Sequence, residues 1–228
     1  GELSNLYPSL FTPAGFTFSI WGLIYLLLII FAVYQSKGLF GNSSIPQNDF
    51  LQRIGPWFFI SSLANMAWIF AWHHQVVWLS MLIMLVMLVS LITIYLQLGI
   101  GHRIVGRNQR YFVHMPFSIY LGWITVATIA NAATLLIDLQ WGGFGIASEI
   151  WTSLMISIAT ILTLFILFAR KDFFYSLVII WAFVGIIYKR TLPVENFYLS
   201  IIITASAGIF LIAATIIFQA VKRFVRKG

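Results

Sequence analysis

The chain has 228 residues, 61% of them hydrophobic and 8% charged, with a formal net charge of +7 and no cysteine. A soluble domain is about 25% charged, so a chain this apolar could not cover itself with polar surface, and disulfides and thiolate metal ligands are excluded. Apolar runs of about 20 residues recur along it. They mark an all-α polytopic membrane bundle, because a lipid-exposed chain of this kind must satisfy its backbone groups within helices.

Seven spans are expected, near 17–35, 55–73, 76–98, 112–137, 147–169, 173–188 and 198–221. All 13 basic and 6 acidic residues fall outside these spans or at their ends. A Pro- and Gly-containing turn, "TPAG", precedes the first span, which carries Trp21, Tyr25 and Tyr34. The connection 36–54 is the longest polar stretch and reads as a mobile loop. The second span holds Asn65 and Trp68 and ends in His73 and His74. The fourth holds Tyr120, Trp123 and Asn131. The last three spans are mostly Ile, Leu, Thr and Ser.

Charge gives the orientation. Lys37 and Arg53, then Arg103, Arg107 and Arg110, then Arg170 and Lys171, and the tail "VKRFVRKG" share one side of a seven-span chain. The other side shows Glu2, Asp138 and Glu149, with Lys189 and Arg190 as the discordant pair. The positive-inside rule then places the tail in the cytoplasm and Gly1 outside, in what reads as a bacterial plasma membrane. Orientation accounts for the positive charge, and no nucleic-acid partner is expected. Because the chain begins with Gly1 rather than methionine, something is expected to precede it, either a removed tag or a native segment.

Enzymatic signals are weak. No carboxylate lies inside a span, and Asp138 and Glu149 merely flank "LQWGGFGI". The adjacent histidines point about 100° apart on a helix, unlike an i, i+4 metal pair. They read as interfacial residues of a tight helical hairpin, the alternative being an axial ligand to a metalloporphyrin. The protein is therefore expected not to be an enzyme, with porphyrin breakdown as a weak option, and no cofactor or metal is required.

The buried amides and aromatics say more. An unpaired amide in hydrocarbon costs several kcal/mol, so Asn65 and Asn131 must face a neighbouring helix, a cavity or a ligand. Trp21 and Tyr25 share a helix face, as do Trp68 and Trp72, and Tyr120 and Trp123. Trp57 and Trp78 suit an interfacial belt, whereas Trp68 and Trp123 stand well inside their spans. Flat aromatic walls with two amides suit a large, planar, mostly apolar ligand. Plain aromatic packing between helices is the competing account.

Three blocks resemble the TspO/MBR family of tryptophan-rich sensory and translocator proteins. "TPAGFTFSIWGLIY" keeps Pro13, Trp21 and Tyr25; "NMAW" gives Asn65 and Trp68; "YLGWITVATIAN" gives Tyr120, Trp123, Ala127 and Asn131. The resemblance covers roughly residues 8–138. It implies a five-helix bundle in which "YPSLFTPAG" lids an aromatic pocket for porphyrins, with a sensory or regulatory role. The ligand-binding residues on that reading are Pro13, Trp21, Tyr25, Asn65, Trp68, Trp72, Tyr120, Trp123, Ala127 and Asn131. Residues 1–138 form the ligand-binding bundle, and 139–228 add three helices and a basic tail. Thr12, Ser19 and Ile119 stand where the family has prolines, and the family's first helix has no counterpart. The proposed cholesterol motif after Asn131 is missing. Expected partners are the bilayer, a porphyrin or other tetrapyrrole, and a second copy or a larger membrane complex. A structural or pigment-holding subunit and a small-molecule transporter are the rival functions; the absence of intramembrane charge argues against the transporter.

Overall fold

The computed structural model describes residues 9–40, 48–191 and 198–225. Among these, all regular structure is helical. A 3₁₀ turn, Gly15–Ser19, leads into α1 (Ile20–Phe40), followed by the short α2 (Asn48–Ile54), α3 (Trp57–His73) and α4 (Val77–Gln97). A helical turn at Arg107–Gln109 and a π turn at Arg110–His114 open α5 (Met115–Asp138). Then come α6 (Ser148–Arg170), α7 (Phe173–Thr191) and α8 (Leu199–Val225). Six stretches are long and apolar enough to cross a membrane: 15–36, 77–97, 107–138, 148–170, 173–191 and 199–222. The protein is an all-α, polytopic membrane helix bundle. The seventh expected span, α3, has 17 residues. At 1.5 Å per residue it reaches about 25 Å, slightly short of a hydrocarbon core of about 30 Å. Of the expected loop 36–54, residues 36–40 continue α1 and 48–54 form α2, while 41–47 lie outside the described residues.

Contacts divide the chain into two compact units, Ser19–Thr128 and a second made of Ile129 onward with the N-terminal segment ending at Phe18. In the first unit, α3 and α4 form a tight antiparallel hairpin. Its turn is a Schellman closure built on Gln75, at φ 57°, with the Val76 amide donating to the Ala71 carbonyl at 2.9 Å. The hairpin expected at His73 and His74 is thus closed by a left-handed glutamine, where glycine is usual. Buried residues of α4 recur at Val77, Ser80, Met84, Met87, Leu91 and Ile94, alternating steps of three and four that trace one packing stripe. Along α1 the buried positions are Ile20, Ile24, Leu27 and Phe31. Phe31 meets Phe58 and Phe117 edge to face, at 5.3 and 5.1 Å between ring centroids.

The second unit is organised by small residues. Thr160 on α6 and Phe183 on α7 approach Gly208 on α8 so closely that a Cβ there would lie 2.6 Å and 2.9 Å from their atoms. Small residues let helix backbones approach where lipid supplies no hydrophobic drive. The α6–α7 turn is capped at both ends. Lys171 takes the left-handed conformation at φ 52°, and Asp172 Oδ1 accepts the Tyr175 amide at 3.2 Å. Hydroxyls inside the helices, such as Thr160 and Thr163, bond to carbonyls one turn back, so they add no unpaired polar group in the membrane.

The N-terminal segment docks on α7. Ala14 donates its amide to the Gly185 carbonyl at 3.0 Å, and Trp181 Nε1 donates to the Thr17 carbonyl at 3.0 Å. Phe16 lies edge-on between Trp181 and Tyr188, at 5.4 and 5.3 Å. Positions 181, 185 and 188 are one helix face. The close approach depends on Gly185, where a Cβ would collide with Thr17 and lie 3.1 Å from Pro13 Cβ. Gly185→Ala is therefore expected to unseat residues 13–17, read as faster amide exchange at Ala14. Unchanged protection there would show that the contact does not hold the segment. Arg190, discordant in the charge pattern, is buried and reaches the Ser9 carbonyl at 3.4 Å. Its position reflects packing rather than membrane orientation.

Candidate ligand site: an aromatic cluster in the first unit

Trp21 is the hub. Its indole stacks on Tyr25 at 5.5 Å and on Trp68 at 6.0 Å, both with interplanar angles of 27°. It meets Tyr120 at 6.1 Å and Trp123 at 6.4 Å edge to face. Trp68 stacks on Trp72 at 5.8 Å and 18°. The four-residue spacing within α1 and within α3 produces the two intrahelical stacks, and helix packing joins them through Trp21 and Trp68. The result is a connected series, Tyr25–Trp21–Trp68–Trp72, backed by α5.

Its members differ in burial. Trp123 and Tyr120 are each 1% exposed, and the Tyr120 hydroxyl donates to Met87 Sδ at 3.3 Å. Trp21, Trp68 and Trp72 are half-buried, and Tyr25 is exposed. Thus α5 supplies the floor, and α1 and α3 supply the accessible rings. At 6.0 Å between centroids, Trp21 and Trp68 are in direct contact. A plate inserted between two rings needs about 7 Å, twice an aromatic contact distance of about 3.5 Å. A planar ligand would meet the outer faces and edges of this series, or part the two indoles.

Two polar groups of α3 adjoin the aromatic series. Asn65 is 8% exposed; its Nδ2 donates to the Tyr25 hydroxyl at 3.2 Å. Its Oδ1 is buried with no hydrogen-bond partner among the described residues, and the same holds for Trp68 Nε1 one turn away. An acceptor and a donor one turn apart on α3 thus stand unsatisfied, each at a cost of about 1–3 kcal/mol.

Seven of the ten residues expected from the sequence are therefore joined by direct contacts: Trp21, Tyr25, Asn65, Trp68, Trp72, Tyr120 and Trp123. Ala127 is half-buried one turn beyond Trp123. Asn131 is buried on the same helix but falls in the second unit, as does Pro13, which packs on Gly185. In the expected lid "YPSLFTPAG", residues from Ser9 onward are described and hold to α7; Tyr7 and Pro8 lie outside the described residues. Met87 was not foreseen. The signal was faint: a methionine on the buried stripe of a wholly apolar helix.

His73 and His74 are exposed at the hairpin turn with rings 5.5 Å apart. No group of three or more His, Asp or Glu among the described residues is placed to hold a metal ion.

No curated protein and no solved structure matches the chain. A family pattern does, described as TSPO-like protein, and it matches residues 1–218. That span contains all three sequence blocks and continues through α6, α7 and most of α8. With that pattern matching nearly the whole of a membrane helix bundle, the chain belongs to the TSPO-like (TspO/MBR) family.

Proposed function

We propose that the protein binds a planar hydrophobic ligand, a porphyrin or related tetrapyrrole first, at the Trp21 cluster, and serves a sensory or regulatory role rather than catalysis. The supporting observation is the pairing of the stacked aromatic series with two unsatisfied polar atoms, Asn65 Oδ1 and Trp68 Nε1. Macrocycle faces and edges would pack on the half-buried indoles, and the two polar atoms would fix the ligand's orientation. In this reading residues 1–138 carry ligand binding and residues 139–228 carry packing. Ala127 joins the binding set by family resemblance; Pro13 and Asn131, expected on the same ground, belong to the other unit. The basic ends of the spans support a cytoplasmic C-terminus.

Titrating protoporphyrin into the full chain in detergent, followed by tryptophan quenching against free tryptophan, tests this reading. Saturable one-site quenching in the micromolar range or below is the expected result. Linear quenching matching free tryptophan would reject the tetrapyrrole and favour a structural subunit.

A further inference from the structure

A cavity in the first unit is lined by none of the aromatic-cluster residues. It has a volume of about 370 Å³ and is lined by Arg53, Leu98, Arg103, Ile104, Val105, Gly106 and Gln109. Arg53 stands on α2, and Arg103 and Gln109 lie in the α4–α5 connection, so the basic groups come from separate elements. Each is held by its surroundings. Helix α2 is anchored by Phe50 and Ile54, 5% and 3% exposed, with Phe50 against Phe31 and Tyr34. The Arg103 stem lies across Gly99, whose absent Cβ would stand 2.7 Å from Arg103 Cγ. Gly99 also adopts φ 63°, a conformation open to glycine, in the turn that closes α4. The guanidinium of Arg103 is thus directed by the turn rather than left on a freely rotating stem.

Charge complementarity narrows the occupant. The unit's sequence carries Lys37, Arg53, Arg103, Arg107 and Arg110 against one carboxylate, Asp49, whose side chain lies outside the described residues. The cavity lies where the apolar span 77–97 ends and the span 107–138 begins, and the ends of spanning helices meet the headgroup region of a bilayer. Beside the arginines, Ile104 is fully exposed, and Leu98 and Val105 add apolar lining. A site with cationic walls and an apolar lip at a membrane surface suits a molecule with a phosphate on an acyl-bearing stem. We infer that this cavity binds the phosphodiester headgroup of an anionic phospholipid, held by Arg53 and Arg103.

The test is native mass spectrometry of the full chain in detergent, titrated with phosphatidylglycerol or phosphatidylcholine, with soluble glycerol phosphate as competitor. Preferential retention of one phosphatidylglycerol is expected. The double variant Arg53→Gln/Arg103→Gln should lower that retention about 25-fold, since each basic side chain at an anionic surface is worth roughly fivefold. A charge-matched control in the other unit, Arg170→Gln/Lys171→Gln, should change it less than about twofold, and Arg103→Lys should restore part of it. Thermal melts confirm that each variant is folded. Equal retention of the two lipids by the unaltered protein would overturn the proposal without reference to any variant. Equal losses in both double variants would reduce the effect to diffuse surface charge and also overturn it. Displacement by glycerol phosphate at concentrations comparable to the lipid would assign the cavity to a free phosphate and reject the lipid.

Discussion

Trp123→Ala is expected to lower the stability of the protein by about 3–5 kcal/mol, the range for removing a buried tryptophan. Trp123 is 1% exposed and lies on the buried face of α5 with Tyr120 and Ile124, under the edge of Trp21. Truncation leaves a large void in a helix bundle whose backbone cannot collapse to fill it. A thermal melt in detergent reads the effect as a drop of several degrees. A melt unchanged within a degree would mean that Trp123 is not part of the packed floor. This fixes how a binding loss in the same variant is to be interpreted. From the sequence alone Trp123 looks like the best probe of the ligand; its burial makes it a probe of the scaffold.

Trp21→Ala is the sharper test of binding. The indole touches Tyr25, Trp68, Tyr120 and Trp123 but remains half-buried, so its loss removes accessible aromatic surface with a smaller void. Aromatic pairing contributes about 0.5–1.5 kcal/mol per contact beyond area. Losing the central ring should therefore weaken protoporphyrin at least about tenfold, a change of 1.4 kcal/mol. Trp78→Ala, at a residue 58% exposed and outside the cluster, should leave affinity unchanged. If both variants weaken binding equally in the quenching titration, the cluster is not the site. Since Trp21 also contributes fluorescence, porphyrin absorbance provides the independent readout.

The helices were legible because a bilayer imposes their length and forbids charge within them. The site was legible in part through spacing: Trp21 with Tyr25 and Trp68 with Trp72 share faces by i, i+4 arithmetic, and both pairs stack. Which face of each helix packs inward was harder to read. On α1 the exposed positions are Leu23, Leu26, Ile29 and Val33, as apolar as the buried Ile24, Leu27 and Phe31. In water a polar face would betray the orientation; in lipid both faces are greasy, and the hydrophobic pattern loses its contrast. Gly208 and Gly185 mark close approaches, but a glycine in sequence does not say what will approach it.

Sequence by itself determined the membrane class, the course of the long apolar helices and the family, because length, hydropathy and local spacing are properties of a single segment. Tertiary structure alone decided that Trp21 bridges the α1 and α3 stacks, that α5 supplies a buried floor, and that residues 13–17 settle on α7 around Gly185. Each of these depends on shape fit between segments far apart in the chain. Among uniformly apolar surfaces, side-chain size and close packing select that fit, and hydropathy cannot encode it.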